Sequence, residues 1–212
     1  MNFMSQSCAR PGGGRSATGP SVRVDPAFFP SRGSAAENRG VTLGVRFGEA
    51  ADVDAAVWVF ERSNLARRRG VWPGRPGRVE RVRSHLYDRA SWFLVAAQGP
   101  VVVAMASARP LHGDDSAGAA TQAGILSYLY VVPERWGEGI GGMMLDAALA
   151  EAARRQYARF HLWTHQDNER SQRLYRSRGF TPAGRTAHGE DEWVRLTVPV
   201  TTAPPTEDRR PF

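Results

Sequence analysis

Residues 129–145, LYVVPERWGEGIGGMML, constrain this chain more than any other segment. An apolar run that fits a buried strand stops at Pro133. Glycines then stand at 137, 139, 141 and 142, and an apolar helical pattern follows at once. Glycine lets a backbone approach a ligand closely and take positive φ without a Cβ penalty. The N–H groups left without partners at a helix start, with the positive end of the helix dipole, make an anion site. The segment therefore asks for a phosphate or pyrophosphate. It is not a Walker loop, because no lysine follows the glycines. It is not a dinucleotide fingerprint either, since GEGIGG lacks the G-x-G-x-x-G spacing and no acid lies near the end of the next strand.

The surrounding periodicity gives the frame that carries this turn. Val41–Arg46 alternates as a first strand, and 52–64 places Val53, Ala56, Val57 and Phe60 at helical spacing. A Gly/Pro-broken stretch runs into a short helix near Val79–Tyr87. Trp92–Ala97 and Val101–Ala108 read as strands around a Gly99-Pro100 turn, and 112–121 as a small-residue loop. Gly124–Val132 is apolar on both faces and hence central in a sheet. The helix after the glycines is expected over Met143–Gln156, a strand over Phe160–Thr164 and a helix over Asn168–Arg178. Two last strands fall at 180–185 and 191–198. The sum is an α/β domain with a central mixed sheet of about seven strands and about four helices. Trp58 and Trp92 belong to its packing.

Composition bounds the remainder. The hydrophobic fraction is 42%, enough for a core, and no run approaches the ~20 apolar residues of a membrane span. The first residues, MNFMSQSCARPGGG, show no apolar signal region, so the expectation is a cytoplasmic protein. A single cysteine, Cys8, excludes an intrachain disulfide framework and a multi-cysteine metal site. The net charge is +7, and every one of the 28 basic residues is arginine. The excess is local: residues 1–40 hold five arginines against two acids, and 67–89 hold eight against two. Such basicity does not by itself imply a nucleic-acid-binding fold. Residues 1–40, rich in Gly, Pro and Ser, read as a disordered or loosely attached tail. Residues 41–200 read as the domain and 201–212 as a flexible tail.

With these motifs in view, the chain resembles the GCN5-related N-acetyltransferase (GNAT) superfamily over roughly residues 41–198. That family carries Gln/Arg-x-x-Gly-x-Gly/Ala after its fourth strand, wrapped around the pyrophosphate of acetyl-CoA. Here the pattern stands as Trp136-Gly137-Glu138-Gly139-Ile140-Gly141, followed by Gly142, with Trp136 where Gln or Arg is usual. A second match is NERSQRLYRSRGF, residues 168–180, similar to the family's Asn-x-x-Ala-x-x-x-Tyr…Gly-Phe segment with Ser171 in place of Ala. Asn168 and Tyr175 lie nearly two helical turns apart and face one side. Gly179 suits the left-handed position after a helix, with Phe180 packing back near Tyr175.

The resemblance implies a GNAT fold with a pantetheine slot between the fourth and fifth strands. It implies direct transfer of an acetyl group from acetyl-CoA to a primary amine of a small molecule or protein. Backbone groups around Tyr130 and Val131 would pair with the pantetheine arm, residues 136–142 and Asn168 would hold the cofactor, and Tyr175 would protonate the departing thiolate. No metal is implied. The acid that some relatives place in the fourth or fifth strand is missing: the matching positions are 125–128 and Trp163. Candidate bases are Glu134, His161, His165, His188 and the 190–192 acidic cluster, and none is singled out. For His165 the ordinary outcome is a surface histidine. The 67–89 arginines suit either a solvated loop or recognition of an acidic acceptor or of the 3′-phosphate of coenzyme A, and Trp72 either a pocket aromatic or a lid anchor. Two other readings stay open: a non-catalytic acyl-CoA-binding module acting through partners, and an enzyme acting on aminoacyl-tRNA. A homodimer is among the assemblies the sequence allows; a membrane partner is not expected.

Overall fold

The computed structural model describes residues 42–68, 77–111, 123–188 and 191–200, with His188 and Asp191 by their backbone only. Both tails, Cys8, Trp72, the 112–121 loop and Glu190 lie outside the described residues. The strands are β1 (Leu43–Phe47), β2 (Trp92–Gln98), β3 (Val101–Leu111), β4 (Ala123–Val131), β5 (Arg159–His165), β6 (Thr181–His188) and β7 (Asp191–Pro199). The helices are α1 (Val53–Arg67), α2 (Arg78–Tyr87), α3 (Ile140–Arg154) and α4 (Glu169–Arg176). All seven strands join one sheet in the order β1-β2-β3-β4-β5-β7-β6. Every neighbouring pair is antiparallel except β4 and β5, which run parallel. A parallel pair needs a crossover, and α3 supplies it. The expected α/β mixed sheet, in the GNAT arrangement, is the one observed.

Side-chain alternation fixes which helix covers which face. Phe60 of α1 meets the rings of Tyr128 and Tyr130 edge-on, at centroid distances of 6.0 and 5.1 Å. On the other face the Arg155 guanidinium, just past α3, lies 5.3 Å from the Trp92 ring, which stacks on Phe160. Thus α1 and α3 sandwich the sheet. The apolar stripe predicted for α1, Val53, Ala56, Val57 and Phe60, is buried. So are Ile140, Met144, Leu145, Ala148 and Ala152 of α3.

One boundary departs from the sequence expectation in a way that shapes the site. Helix α3 begins at Ile140, not Met143, because Gly139 takes φ +81° as its N-cap and delivers the chain straight into the helix. Gly141 and Gly142 therefore sit in the first helical turn. Their weak helix propensity, about 1 kcal/mol each, is tolerated because neighbours use the missing Cβ space. A Cβ at 141 would touch Leu174, and one at 142 would collide with the Arg178 guanidinium, which pairs with Asp146.

Candidate active site

Strands β4 and β5 pair only from Ala123 to Leu126 and from Arg159 to Leu162. Beyond that both continue, to Val131 and His165, without pairing to each other. The cause lies in the next ladder. Ala108 pairs Leu126 while Ser107 pairs Tyr128, so Ser127 is an extra residue in β4. A bulge bends its strand and sharpens the local twist, and this one falls where the β4–β5 ladder stops. The parted strands enclose a cleft of about 70 Å³, lined by 126–130 of β4, 162–165 of β5, Asn168, Ser171 and Tyr175 of the α4 segment, and Asn64, Arg67 and Trp193.

The slot edge of β4 is set by backbone alternation. Val132 N–H donates to Val103 O at 2.9 Å, so the backbone groups of 128, 130 and 132 point to β3. Those of Leu129 and Val131 point into the slot. Tyr130 therefore lines the cleft while its backbone groups point to β3, and the slot-facing backbone beside it belongs to Leu129 and Val131. The Val131 carbonyl accepts two hydrogen bonds, from Ser63 Oγ and from Trp136 Nε1, both 2.7 Å.

The glycine turn follows β4, and a Cβ at Gly141 just after it would lie 3.9 Å from Val131 and 3.4 Å from Leu174. Gly137 (φ +96°) and Gly139 (φ +81°) both adopt left-handed backbone, and a Cβ at either would meet nothing within 4 Å. Glycine is demanded there by conformation, and it leaves bare backbone facing open space. Helix α3 has no side-chain cap and no acid in its first turn, so the N–H groups of Ile140, Gly141 and Gly142 have no acceptor in the helix. These features fit a diphosphate. Around them, Glu138 is tied to Arg135 at 2.5 Å. The Trp136 indole, besides closing onto Val131, carries the Arg170 guanidinium 5.2 Å from its ring. Gly142 has a packing role under Arg178 instead.

Helix α4 brings Tyr175 to the cleft. Asn168 caps the helix, its side-chain oxygen accepting from Ser171 N–H at 3.2 Å. At the other end Phe180 N–H donates to Tyr175 O at 3.2 Å and Gly179 N–H to Arg176 O at 3.0 Å, with Gly179 at φ +81°. That pair of bonds is a Schellman closure, completed by the Phe180 ring 5.8 Å from that of Tyr175. The Tyr175 side chain is almost wholly buried. Burial, and secondarily Tyr130 beside it, push its phenol well above the ordinary value near 10. Its hydroxyl therefore keeps its proton across the physiological pH range.

The five sequence candidates for a base separate clearly. Glu134 is held at the surface by Arg62, at 2.5 Å. His161 lies in the core, level with Ile125, and does not line the cleft. Glu192 is exposed; the side chains of His188 and Asp191, and Glu190, lie outside the described residues. His165 is not a surface residue. It is 8% exposed, lines the cleft, and lies against Trp193 at a centroid distance of 3.7 Å. Of the 67–89 arginines, Arg67 pairs with Asp167 and Arg83 with Asp54, and Arg78 lies over the Phe60 ring.

A mixed sheet parted at its one parallel pair, with the crossover helix starting on a bare N-terminus, defines a distinct class of α/β fold. Residues 58–180 match the model of the acetyltransferase (GNAT) family, and the chain belongs to that family. No curated protein matches it. Among solved structures it is similar to the ribosomal-protein-S18-alanine N-acetyltransferase from Escherichia coli, at 19% identity, covering 78% of this chain and 98% of that one, TM-score 0.60. It is similar to the ribosomal-protein-alanine N-acetyltransferase from Brucella melitensis, at 22% identity, 74% and 99% coverage and TM-score 0.60. It is also similar to the PaiA N-acetyltransferase from Thermoplasma acidophilum in complex with coenzyme A, at 17% identity, 73% and 98% coverage and TM-score 0.54. Likenesses at this level of identity establish the fold. Among the described residues, no helix is long and apolar enough to cross a membrane.

Proposed function

We propose that the protein transfers an acetyl group from acetyl-CoA to a primary amine, with the donor lying in the β4–β5 slot. The observation that carries this reading is the uncapped, glycine-bearing start of α3, whose Gly141 packs beside Val131 and Leu174, the neighbours of the cleft residues Tyr130 and Tyr175. The backbone of residues 137–142 would hold the pyrophosphate, and Leu129 and Val131 would offer strand-like partners to the pantetheine amides. Because both lone pairs of the Val131 carbonyl are engaged, its N–H and the groups of Leu129 carry most of that pairing. A slot-facing N–H would also stabilise negative charge on the thioester oxygen during attack. Asn168 would act by fixing the start of α4, and Tyr175 would protonate the sulfur as the C–S bond breaks. A thiolate with a solution pKa of about 8.5 is itself raised by the apolar surroundings that raise the phenol, so the transfer stays feasible.

Calorimetric titration with acetyl-CoA tests the donor site. Micromolar binding is expected, and Gly139→Glu, which adds a side chain and a negative charge at the cradle, should abolish it. Absence of binding to folded wild-type protein overturns the reading. One observation favours a second reading, a non-catalytic acyl-CoA-binding module: no carboxylate stands among the described cleft residues. Thiol release from acetyl-CoA with alaninamide, lysine methyl ester, spermidine, phenethylamine and glutamate as acceptors separates the two. Turnover of any of them excludes the module.

A further inference from the structure

No carboxylate stands among the described cleft residues, yet an attacking amine nitrogen must lose a proton as its bond to the acetyl carbon forms. We propose that His165 takes that proton, directly or through one water; this rests on the acetyltransferase reading above. Three observations converge on it.

The first is place. Counting from the last β4–β5 pair, Leu126 with Leu162, His165 stands three residues along β5, opposite Leu129 and Tyr130 across the slot. The second is side. Alternation along β5 sets His165 with Trp163 on the face away from Phe160, hence away from α3 and on the side of α1. A donor anchored at the start of α3 presents its thioester from one face, so the amine arrives from the other, where His165 is. Tyr175 and His165 line the same cleft, one suited to the leaving sulfur and the other to the incoming nitrogen. The third is fixity. The His165 carbonyl accepts from Asn168 N–H at 3.1 Å and from Gln172 Nε2 at 3.2 Å, and its ring lies against Trp193.

A second histidine, His85, meets the Tyr128 ring edge-on at 5.0 Å and is already committed. His85 donates from Nε2 to Ser107 Oγ at 2.9 Å, because the Ser107 hydroxyl hydrogen goes to Trp92 O at 2.9 Å. Burial, with Arg109 nearby, also lowers its basicity. Among the described residues, the ionisable groups sharing the cleft with His165 are Arg67 from α1, itself paired with Asp167, Tyr128 and Tyr130 from β4, and Tyr175 from α4.

The step balances without a further reactant. The neutral amine forms the C–N bond and gives a proton to His165, the C–S bond breaks, and the sulfur takes the Tyr175 proton. His165 and Tyr175 then exchange their surplus and deficit through solvent. A neutral imidazole suffices, because the nitrogen becomes strongly acidic as the new bond forms.

The test compares wild type, His165→Ala and His165→Gln by acetyl-CoA titration, and by thiol release across pH 5.5–9 with the amines named above. His165→Ala is expected to lose about 100-fold or more in kcat/KM at neutral pH with unchanged acetyl-CoA affinity. Added imidazole should restore part of it, more so as pH rises and imidazole deprotonates; His165→Gln, which packs but cannot take a proton, should be equally slow. Full activity of either variant, or a loss that imidazole does not relieve and that leaves the pH profile unmoved, overturns the assignment alone. A wild type that binds acetyl-CoA but acetylates none of the amines overturns the acetyltransferase reading and this assignment with it.

Discussion

At the scale of single residues, Tyr175 is the group whose surroundings say most about its task. Its ring is buried against Phe180, so substitution by phenylalanine keeps the packing and removes only the hydroxyl. Tyr175→Phe is therefore expected to lower kcat by about 100-fold or more while acetyl-CoA affinity stays within twofold. Paired kinetics and titration check this, and an unchanged kcat would remove the tyrosine from the chemistry. Because burial raises the phenol, deprotonation of Tyr175 should produce no fall in rate below about pH 10. Trp136 shows the same economy at a position where the family motif has Gln or Arg. The indole cannot form charge-assisted bonds to a phosphate, but it ties the turn to Val131 and brings Arg170 beside it.

At the scale of elements, the placement of Tyr175 depends on how α4 ends. The Schellman closure holds the helix against β6 through Gly179, whose positive φ costs a non-glycine residue about 1 kcal/mol or more. Space is not the issue, since a Cβ there would meet only Val198, at 3.7 Å. Gly179→Ala should then lower the thermal midpoint by about 2–4 °C, read by calorimetry; no change would mean the closure relaxes without cost. This motif was legible in the sequence, as were the order of the strands and helices and the glycine turn, because each is encoded within a few consecutive residues. The slot was legible only through the family resemblance. Its cause, the extra residue Ser127, exists only relative to β3 and leaves no mark in the apolar pattern of β4. The early start of α3 was missed for a related reason: paired glycines read as a turn until Leu174 and Arg178, more than thirty residues on, are seen to fill the space beside them. His165 read as a surface residue because its burial comes from Trp193, a partner on another strand.

At the scale of the whole molecule, a chain with no lysine places its arginines where they tie elements together. Arg46 holds Asp52 at 2.6 and 2.7 Å, linking β1 to the start of α1. Arg178 holds Asp146, linking the end of α4 to α3, and Arg154 and Arg155 hold the buried Glu151 at the end of α3. In each case the hydrogen bonds from arginine keep the carboxyl below its ordinary range, against the opposing effect of burial. A carboxyl depressed in the folded state contributes stability above its unfolded value, near 4, and loses it as pH falls through the lower folded value. Glu61 works the other way, since burial raises it, and its protonation offsets part of the loss. The thermal midpoint should accordingly be nearly flat from pH 7 to 5 and fall progressively below about pH 4.5. Glu151→Gln keeps the shape and one acceptor but cannot titrate. It should start from a lower midpoint at pH 7 and lose about a third of the slope below pH 4.5, the share of one carboxylate among three. Thermal unfolding across that pH range decides it, and an unaltered acid slope in Glu151→Gln would mean the α3 terminus is not among the contacts that acid releases.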